Sequence, residues 1–495
     1  MGNICMRSNS TVLPKTTTRR CASSSAGILL TSLGAQQVLD FIAHCPVETL
    51  KEHPLSLLVL MRSMFTWRQI PKMLELKELL LAAITEHPDW PESERGDLLG
   101  ECDLIMSFLM YNDISAMSRL HRSASAQMSR PAISIQKSGG WTFGSPSVLM
   151  MFYRASGELQ SELTEMDECM PHYYKITNGH GQGAETIMRA EADFMRACFA
   201  DAQIMLERAY AQIDGNGQEN MALCCDFLAW RLSLCTSFTP RESFEQRREA
   251  LLQQHNVAWL NILQSSCAYY YALLGLPEKI PAVFREHQLA SIHFLAPGKP
   301  MMELIENQVY LAQGEYAKVI GHSEALLGMC EAMHYALVAL HIRLQTAAAY
   351  EMLGKRETAD ELLTSALAAA EPDALYLPFV ENYRYLKTAL TRGAGAKFAA
   401  FVRTVTPLGE DFVRRCDEKR AEGSRPAALA GLTERESAIA ALVAKRLSNR
   451  EIAEQLFLSE GSVKQYINQI YSKLLITGDV RTKRKRLAEL AAPKS

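Results

Sequence analysis

Three glycines, Gly275, Gly314 and Gly354, stand 39 and 40 residues apart near the middle of this 495-residue chain. Each follows an apolar or aromatic helical stretch and precedes a second helical stretch with an early alanine. Extended backwards, the same spacing falls near Cys235 and near Ala197, and the stretch around Ala197 has the same order without a glycine. A period of about forty residues with small residues at a tight turn predicts a stacked array of helix pairs.

The central repeats resemble tetratricopeptide (TPR) repeats, which are also pairs of antiparallel helices. The matching positions are Tyr310, Gly314 and Ala317 in one repeat and Tyr350, Gly354 and Ala359 in the next. The period is longer than the roughly 34 residues usual for that family, so we describe the repeats as TPR-like. The resemblance implies an all-α fold in which residues 35–416 form a helical-repeat domain that senses a signal or binds a partner. Residues 1–34 are expected to be a disordered leader.

Three helix starts follow one another near the C-terminus. Thr433 stands three residues before Glu436, and Ser448 three before Glu451, which is the spacing of a capping box. Ser459 is expected to cap a third helix. Apolar residues between the caps recur every three or four positions, so each helix has one apolar face. The residues predicted to form the core of the last two helices are Ile452, Ala453, Leu456, Val463, Ile467 and Ile470.

The third of these helices has an outer face that is polar but scarcely charged. It carries Gly461, Gln465, Asn468 and Ser472, with Lys464 beside them. Gln and Asn can each form paired hydrogen bonds with adenine, and Lys can reach guanine or a phosphate. A capped helix, a tight turn and a helix with such a face are what a major-groove reader requires. One more antiparallel helix pair with a polar outside would show the same periodicity.

The segments LTERE and SNREIAEQLFLSEGSVKQYINQIYSKL resemble the C-terminal DNA-binding domain of LuxR-type bacterial transcription regulators. The resemblance covers about sixty residues without a gap. It implies a four-helix domain over residues 431–495, with the helix-turn-helix motif at 449–468 and a fourth helix at 480–490. In this family the fourth helix often pairs two subunits.

The same resemblance implies roles for individual side chains. The residues expected to contact base edges are Lys464, Gln465 and Asn468. Those expected to contact phosphates, partly through a helix N-terminus, are Ser459, Ser462, Arg450, Tyr466 and Lys473. The chain departs from the family where Arg446 and Leu475 replace a frequent Gly and Tyr466 replaces a frequent His. The departure at Leu475 affects the turn into the fourth helix, and with it the geometry of a dimer.

The order of the domains is also informative. A helical array followed by a LuxR-type domain is similar to the C-terminal half of the MalT-like regulators, whose complete members carry an ATPase domain in front. The glycine-rich segments of this chain, 139–146 and 178–183, lack the Lys-[Ser/Thr] that a nucleotide-binding loop needs. ATP-driven switching is therefore not implied by the resemblance.

Charge is distributed unevenly along the chain. Residues 431–495 contain twelve Lys or Arg against seven Asp or Glu, a net charge of +5, whereas the whole chain carries −3. A basic module on an acidic body is expected when one end of a protein meets a polyanion.

Residues 417–430, which include Gly423, Ser424 and Pro426, are predicted to be a linker between the two domains.

Catalytic and cofactor motifs are scarce in the sequence. His172, His180, Glu185 and Glu191 are close together but lack the pairing of a zinc motif, so packing or exposed histidines are favoured over a metal site. We expect no enzymatic activity, cofactor or metal. No apolar run approaches the length of a membrane span, so a cytoplasmic protein without a membrane partner is expected.

The leading hypothesis is a sequence-specific transcription regulator of bacterial type, in which the helical body receives a signal and the C-terminal domain acts on double-stranded DNA. Its expected partners are DNA, a second copy of the chain, a small-molecule or protein effector on the repeat domain, and RNA polymerase. The aromatic groups Trp141-Phe143, Tyr173-Tyr174 and Tyr269-Tyr271 either line an effector groove or pack between helices. The alternative is a helical-repeat interaction scaffold whose C-terminal domain no longer reads DNA.

Overall fold

The computed structural model of the chain describes residues 35–254, 257–292, 296–393, 397–423 and 432–491. All regular elements in these ranges are helices, so the predicted all-α fold is confirmed. The leader predicted at 1–34 lies outside the described residues. The chain divides into two compact units, one up to Val413 and the other from Arg414 onward. None of the described helices is both long and apolar enough to cross a membrane.

A long series of helices lies between residues 35 and 423. In chain order they are α1 (Ala35–His44), α2 (Val47–Lys51), α3 (Pro54–Thr66), α4 (Ile70–Glu86), α5 (Glu92–Ser107), α6 (Ile114–Gln127), α7 (Leu149–Phe152), α8 (Leu159–Thr177), α9 (Ala184–Met195), α10 (Phe199–Ile213), α11 (Glu219–Cys235), α12 (Phe244–Gln253), α13 (Val257–Leu274), α14 (Ala282–Arg285), α15 (Lys299–Gln313), α16 (Tyr316–Ala332), α17 (Ala336–Met352), α18 (Arg356–Ala370), α19 (Leu377–Glu381), α20 (Tyr383–Gly393) and α21 (Ala399–Gly423). Helices α1 to α5 share one hydrophobic core.

Several helices from α9 onward pack as consecutive pairs. The pairs α9 with α10, α15 with α16 and α17 with α18 are in contact, and so are the first helices of successive pairs, in the series α9, α11, α13, α15, α17 and α20. Helix α16 also packs on α17, and α18 on α20. This arrangement is compatible with the predicted stacking of helix pairs, in which each repeat contacts its neighbours.

The turns inside these pairs explain the spacing of the glycines. Gly275, Gly314 and Gly354 follow α13, α15 and α17 with φ angles of 68°, 78° and 74°. Each glycine N–H donates to the carbonyl three residues earlier, and the next N–H donates to the carbonyl five residues earlier, as in a Schellman motif. Ala197 follows α9 with a φ of 60° and the same two bonds. Ala197 therefore forms the same turn as the three glycines, with a residue that has a Cβ in the left-handed conformation, whereas Thr236, beside Cys235, has a φ of −137°.

A buried ion pair joins three helices of the array. Arg231 of α11 donates from Nε to Oε1 of Glu381 of α19 at 2.8 Å, and from Nη2 to Oε2 at 3.1 Å. The Tyr269 hydroxyl of α13 donates to the same Oε2 at 2.8 Å. All three residues are buried. Removing one partner would leave an uncompensated buried charge, so the cluster fixes how these helices pack.

The second unit contains α22 (Glu434–Ala444), α23 (Asn449–Leu456), α24 (Glu460–Lys473) and α25 (Val480–Ala491). These helices enclose a hydrophobic core of their own, to which all four contribute. The prediction of a linker beginning at residue 417 is wrong for its first part, because α21 remains helical as far as Gly423. The rest of the predicted linker, from residue 424, lies outside the described residues.

Candidate nucleic-acid interface

The first two helices of the second unit begin at capping boxes, as predicted. The Glu436 N–H donates to Thr433 Oγ1 at 3.3 Å, and the Thr433 N–H donates back to Glu436 Oε2 at 2.8 Å. Ser448 and Glu451 form the same pair of bonds at 3.3 and 2.7 Å. Hydrogen bonds from the Ser448 N–H and hydroxyl lower the pKa of Glu451. The orphan amides of both helix N-termini are thus partly satisfied, which fixes where α22 and α23 start.

A short turn of three residues connects α23 to α24. Phe457 ends α23 in the left-handed conformation with a φ of 54°, and the Leu458 N–H donates to the Ala453 carbonyl at 2.9 Å. Ser459 then caps α24, since its hydroxyl accepts from the Ser462 N–H at 3.0 Å. The apolar faces of the two helices meet in the core, where Ile452, Ala453, Val463, Ile467 and Ile470 are buried and Leu456 is half-buried. The turn therefore holds α23 and α24 as one unit.

The opposite face of α24 is open. Lys464, Gln465 and Asn468, the three residues predicted to contact bases, are all exposed. None of them has a hydrogen-bond or ion-pair partner among the residues that the structure describes. Gln469, which the sequence analysis did not single out, is also exposed on this helix. Its position four residues after Gln465 places it beside the same face, so three amide side chains are available there.

The residues predicted to contact phosphate have different surroundings. The Ser459 and Ser462 hydroxyls lie 2.8 Å apart at the N-terminus of α24. Arg450 is exposed and donates from Nε to Glu454 Oε1 at 3.1 Å. Tyr466 is half-buried and packs against the core. The two serines and Arg450 therefore lie at or near the surface of the motif, whereas only part of the Tyr466 side chain is accessible.

Lys473 forms a hydrogen bond to another residue of the same domain. Its Nζ atom donates to Glu436 Oε2 at 2.7 Å, which joins the end of α24 to the cap of α22. Burial alone would raise the pKa of Glu436, but the hydrogen bonds from Lys473 and Thr433 outweigh it and hold that pKa below its usual value. A phosphate contact by Lys473 would therefore compete with an existing charge-assisted bond.

Two other cations, Arg435 and Arg484, stabilise the motif through contacts that the sequence does not indicate. Arg435 of α22 donates from Nη2 to the Leu456 carbonyl at 2.9 Å, at the end of α23. Arg484 of α25 donates to the Leu447 carbonyl at 2.6 Å and to Asn449 Oδ1 at 2.7 Å, at the start of α23. Both ends of α23 are thus held by guanidinium groups from neighbouring helices.

The turns at Arg446 and Leu475 have the same backbone form. Their φ angles are 62° and 53°, and both show the pair of bonds of a Schellman motif. A left-handed residue at such a position is where glycine is favoured, which accounts for the family's frequent glycines. The turn into α25 is formed in spite of the larger side chains. Leu475 and Val480 are 85% and 81% exposed, while Leu487 anchors α25 in the core.

Other residues singled out in the sequence have partners in the first unit. The Tyr173 hydroxyl lies 2.7 Å from His180 Nδ1, and Glu191 Oε2 accepts from the Leu149 N–H at 2.6 Å. No group of three or more His, Cys, Asp or Glu among the described residues is arranged to hold a metal ion.

Of the aromatic groups, Trp141, Phe143 and Tyr173 line a cavity. Tyr269, in contrast, is buried against Glu381. The aromatic groups are thus divided between a cavity wall and packing between helices.

Comparison with known proteins identifies a family for part of the second unit. Residues 430–484 match the family described as "Bacterial regulatory proteins, luxR family". The transcriptional regulatory protein LnrK of Bacillus subtilis (strain 168) is 41% identical over 63 residues, which are 12% of this chain and 29% of LnrK. The chain thus matches less than a third of the length of that relative. The C-terminal segment of the chain, residues 430–484, is a helix-turn-helix domain of the bacterial luxR family.

Proposed function

We propose that this chain is a sequence-specific DNA-binding transcription regulator of bacterial type, with its output through α24. The observation that carries the proposal is the exposed, polar face of α24, on which Lys464, Gln465 and Asn468 lack partners within the described part of the chain. A solvated surface helix has no need of adjacent unpaired amides, whereas a helix in the major groove uses them. The luxR-family match over residues 430–484 supports the same role.

In the proposed complex α24 enters the major groove with its N-terminus towards the backbone. Asn468 and Gln465 each present a carboxamide that can bond the N6 and N7 positions of adenine, and Lys464 reaches guanine O6 or N7. A phosphate sits at the capped start of α24 between Ser459 and Ser462, where the helix dipole favours an anion. Arg450 and the Tyr466 hydroxyl contact flanking phosphates and set the register of the helix.

Two copies are proposed to bind together. Helix α25 and the turn before it expose Leu475 and Val480, and burial of these side chains against a second copy would pair two reading helices. The half-sites would then lie about one turn of DNA, roughly 34 Å, apart. The helical body receives a small-molecule or protein signal that shifts the population between a restrained and a DNA-competent state. RNA polymerase is the expected further partner at the promoter.

The test is selection of bound duplexes from a random pool by the full-length protein at two salt concentrations. The expected result is an enriched palindrome that survives at the higher salt, since base contacts add to the salt-dependent phosphate contacts. The double variant with Gln465→Ala and Asn468→Ala tests the base contacts themselves. Both side chains are exposed, so their removal leaves the fold intact. Salt-labile retention with no motif would favour the scaffold hypothesis instead.

A further inference from the structure

The first unit contains a cavity of about 290 Å³ that the DNA-binding role does not use. Two segments that interrupt the helices meet there: one supplies Trp141 and Phe143, and the other supplies His180. The rest of the wall comes largely from α3, α6, α8 and the turn after α5. The volume equals roughly ten water molecules at about 30 Å³ each, which is at the small end of ligand pockets.

Seven aromatic side chains contribute to the wall. The Phe65 ring centroid lies 5.5 Å from that of Phe108 and 6.1 Å from that of Phe143, and Trp141 lies 5.0 Å from Phe152. These are the distances of offset and edge contacts between rings. A flat apolar ligand would find ring faces and edges on several sides.

The charged groups of the wall are all cationic. Arg62 and Arg68 line the cavity, and no Asp or Glu is among its described lining residues. Neither guanidinium has a hydrogen-bond or ion-pair partner among the described residues. Burial lowers the pKa of His121 to about 3 and that of His180 to about 4, so both rings are neutral at pH 7. The cavity therefore has an excess of positive charge.

The carboxylate of Glu101, whose charge acts on Arg62, already has other hydrogen-bond partners. Glu101 Oε1 accepts from the N–H groups of Ile133 and Ser134 at 2.9 and 2.6 Å, and its Oε2 accepts from Arg130 at 3.1 Å. Burial lowers the pKa of the Arg62 guanidinium, while the charges of Tyr173 and Glu101 oppose that shift only in part. A half-buried cation with unpaired donors in an apolar pocket costs free energy unless an anion pairs with it.

The wall is also held in place by specific contacts. The Trp141 and Thr142 N–H groups donate to Asn220 Oδ1 at 2.6 and 2.9 Å. Gly181 approaches the Trp141 ring so closely that a Cβ would lie 2.3 Å from its Cδ1.

Three residues of this wall have a left-handed backbone, as eight other non-glycine residues among those described do. Arg68, Tyr111 and Phe143 all have positive φ angles, of 58°, 51° and 52°. Strained residues of this kind persist where the surroundings enforce them, and they concentrate at binding sites.

We propose that this cavity binds a small aromatic carboxylic acid, with its carboxylate on the Arg62 guanidinium and its ring between Trp141 and Phe65. A carboxylate accepts two parallel bonds from a guanidinium, which is the strongest arrangement available to this wall. Its role as the effector of the regulator rests on the proposed function. Binding of the acid does not.

The experiment measures binding of phenylacetate and 2-naphthoate to the full-length protein by calorimetry, each compared with its neutral carboxamide. The acid is expected to bind roughly ten- to a hundredfold more tightly than the amide, because a charge-assisted bond replaces a neutral one. Arg62→Gln should abolish that preference. Arg122→Gln is the matched control, since Arg122 is exposed on α6 and does not line the cavity.

The comparison of acid and amide on the unmodified protein needs no variant, so a folding defect in Arg62→Gln would not obscure the result. Equal affinity for acid and amide, or no binding of either acid, would overturn the proposal. So would a well-folded Arg62→Gln protein that retained the preference.

Failure of the two proposals is separable in the same preparation. Acid binding without a selected DNA motif would leave the cavity assignment standing and defeat the regulatory function. A selected motif without acid binding would do the reverse. An acid that binds without changing the affinity for the selected duplex would overturn the effector role.

Discussion

The Nζ atom of Lys473, in the last turn of α24, lies 2.7 Å from Oε2 of Glu436, in the first turn of α22. The same oxygen accepts from the Thr433 N–H and hydroxyl at 2.8 and 2.9 Å. The Glu436 side chain is 4% exposed and that of Lys473 is 42% exposed. One end of the proposed reading helix is thus fastened to the cap of the first helix.

Replacement of Lys473 by Met should destabilise the C-terminal unit by about 1 kcal/mol, because a nearly buried carboxylate loses a charged donor. Urea unfolding of a fragment spanning 414–495, followed by circular dichroism, measures this. Lys464→Met is the matched control, since Lys464 is exposed without a partner in the described residues, and its stability should be unchanged. If Lys473 serves only phosphate, both variants will unfold alike and only DNA affinity will fall.

Glu436 should also make this unit sensitive to acid. Its folded-state pKa is held below the ordinary 4.5, so the folded state binds protons less readily than the unfolded state. The stabilisation is fully present above about pH 4.5 and is lost as the pH falls through the folded-state pKa. Melting temperatures of the fragment between pH 6 and pH 3 should fall more steeply for the natural sequence than for Glu436→Gln. Parallel curves would show that other carboxylates dominate.

Leu475→Gly should stabilise the C-terminal unit. A left-handed conformation costs a residue with a Cβ about 1–2 kcal/mol, and glycine returns about 0.4–1 kcal/mol of this through its greater freedom when unfolded. The expected net gain is roughly 0.5–1 kcal/mol by urea unfolding. Leu475→Ala keeps the Cβ while removing the exposed side chain, so its stability should stay within about 0.5 kcal/mol of the parent. An equal gain in both variants would implicate the side chain and not the backbone.

The C-terminal unit was largely predictable because its determinants are local. Thr433, Ser448 and Ser459 mark three helix starts within a few residues of their partners, and the apolar spacing defines the buried faces. The bond between Lys473 and Glu436 spans 37 residues and follows only from the crossing of α24 and α22. For that reason the family resemblance indicates a phosphate contact for Lys473, while its partner within the domain is visible only in the structure.

Asn468→Ala should relax the sequence preference at one base position in each half-site. A bidentate amide contact contributes about 1–3 kcal/mol of discrimination, while the exposed position of Asn468 means that folding is unaffected. Competition between duplexes that differ at single positions measures the change. Gln160→Ala, which removes an exposed amide from α8, should leave the preference intact. An unaltered preference in Asn468→Ala would remove this residue from the base-reading set.

The cavity, in contrast, was only partly visible in the sequence. The glycine-rich segments 139–146 and 178–183 lack the lysine of a nucleotide-binding loop, but nothing in the sequence indicates that they form two sides of one wall. Their meeting depends on distant contacts, such as Asn220 with the Trp141 backbone. Arg62 lies in the apolar helix α3. Nothing in the sequence marks it as a cavity residue, because a single Arg among Leu and Met residues is usually at the surface.

The repeat turns offer a test in which two reverse substitutions, at equivalent positions, should change the stability in opposite directions. Ala197 occupies, with a φ of 60°, the position that Gly314 occupies with a φ of 78°. Ala197→Gly should therefore stabilise the first unit by roughly 0.5–1 kcal/mol, and Gly314→Ala should destabilise it by about 1 kcal/mol. A Cβ at Gly314 would meet no atom within 4 Å, so only backbone strain is involved.

The control for this pair is Ala211→Gly, at an exposed position inside α10, which should lose about 0.5–1 kcal/mol because glycine weakens a helix interior. All five tryptophans precede residue 260, so tryptophan fluorescence during urea unfolding of the full chain follows the first unit alone. If Ala197→Gly destabilised the protein as Ala211→Gly does, Ala197 would not be equivalent to the repeat glycines. The shared turn would then no longer support extending the repeat back to α9 and α10.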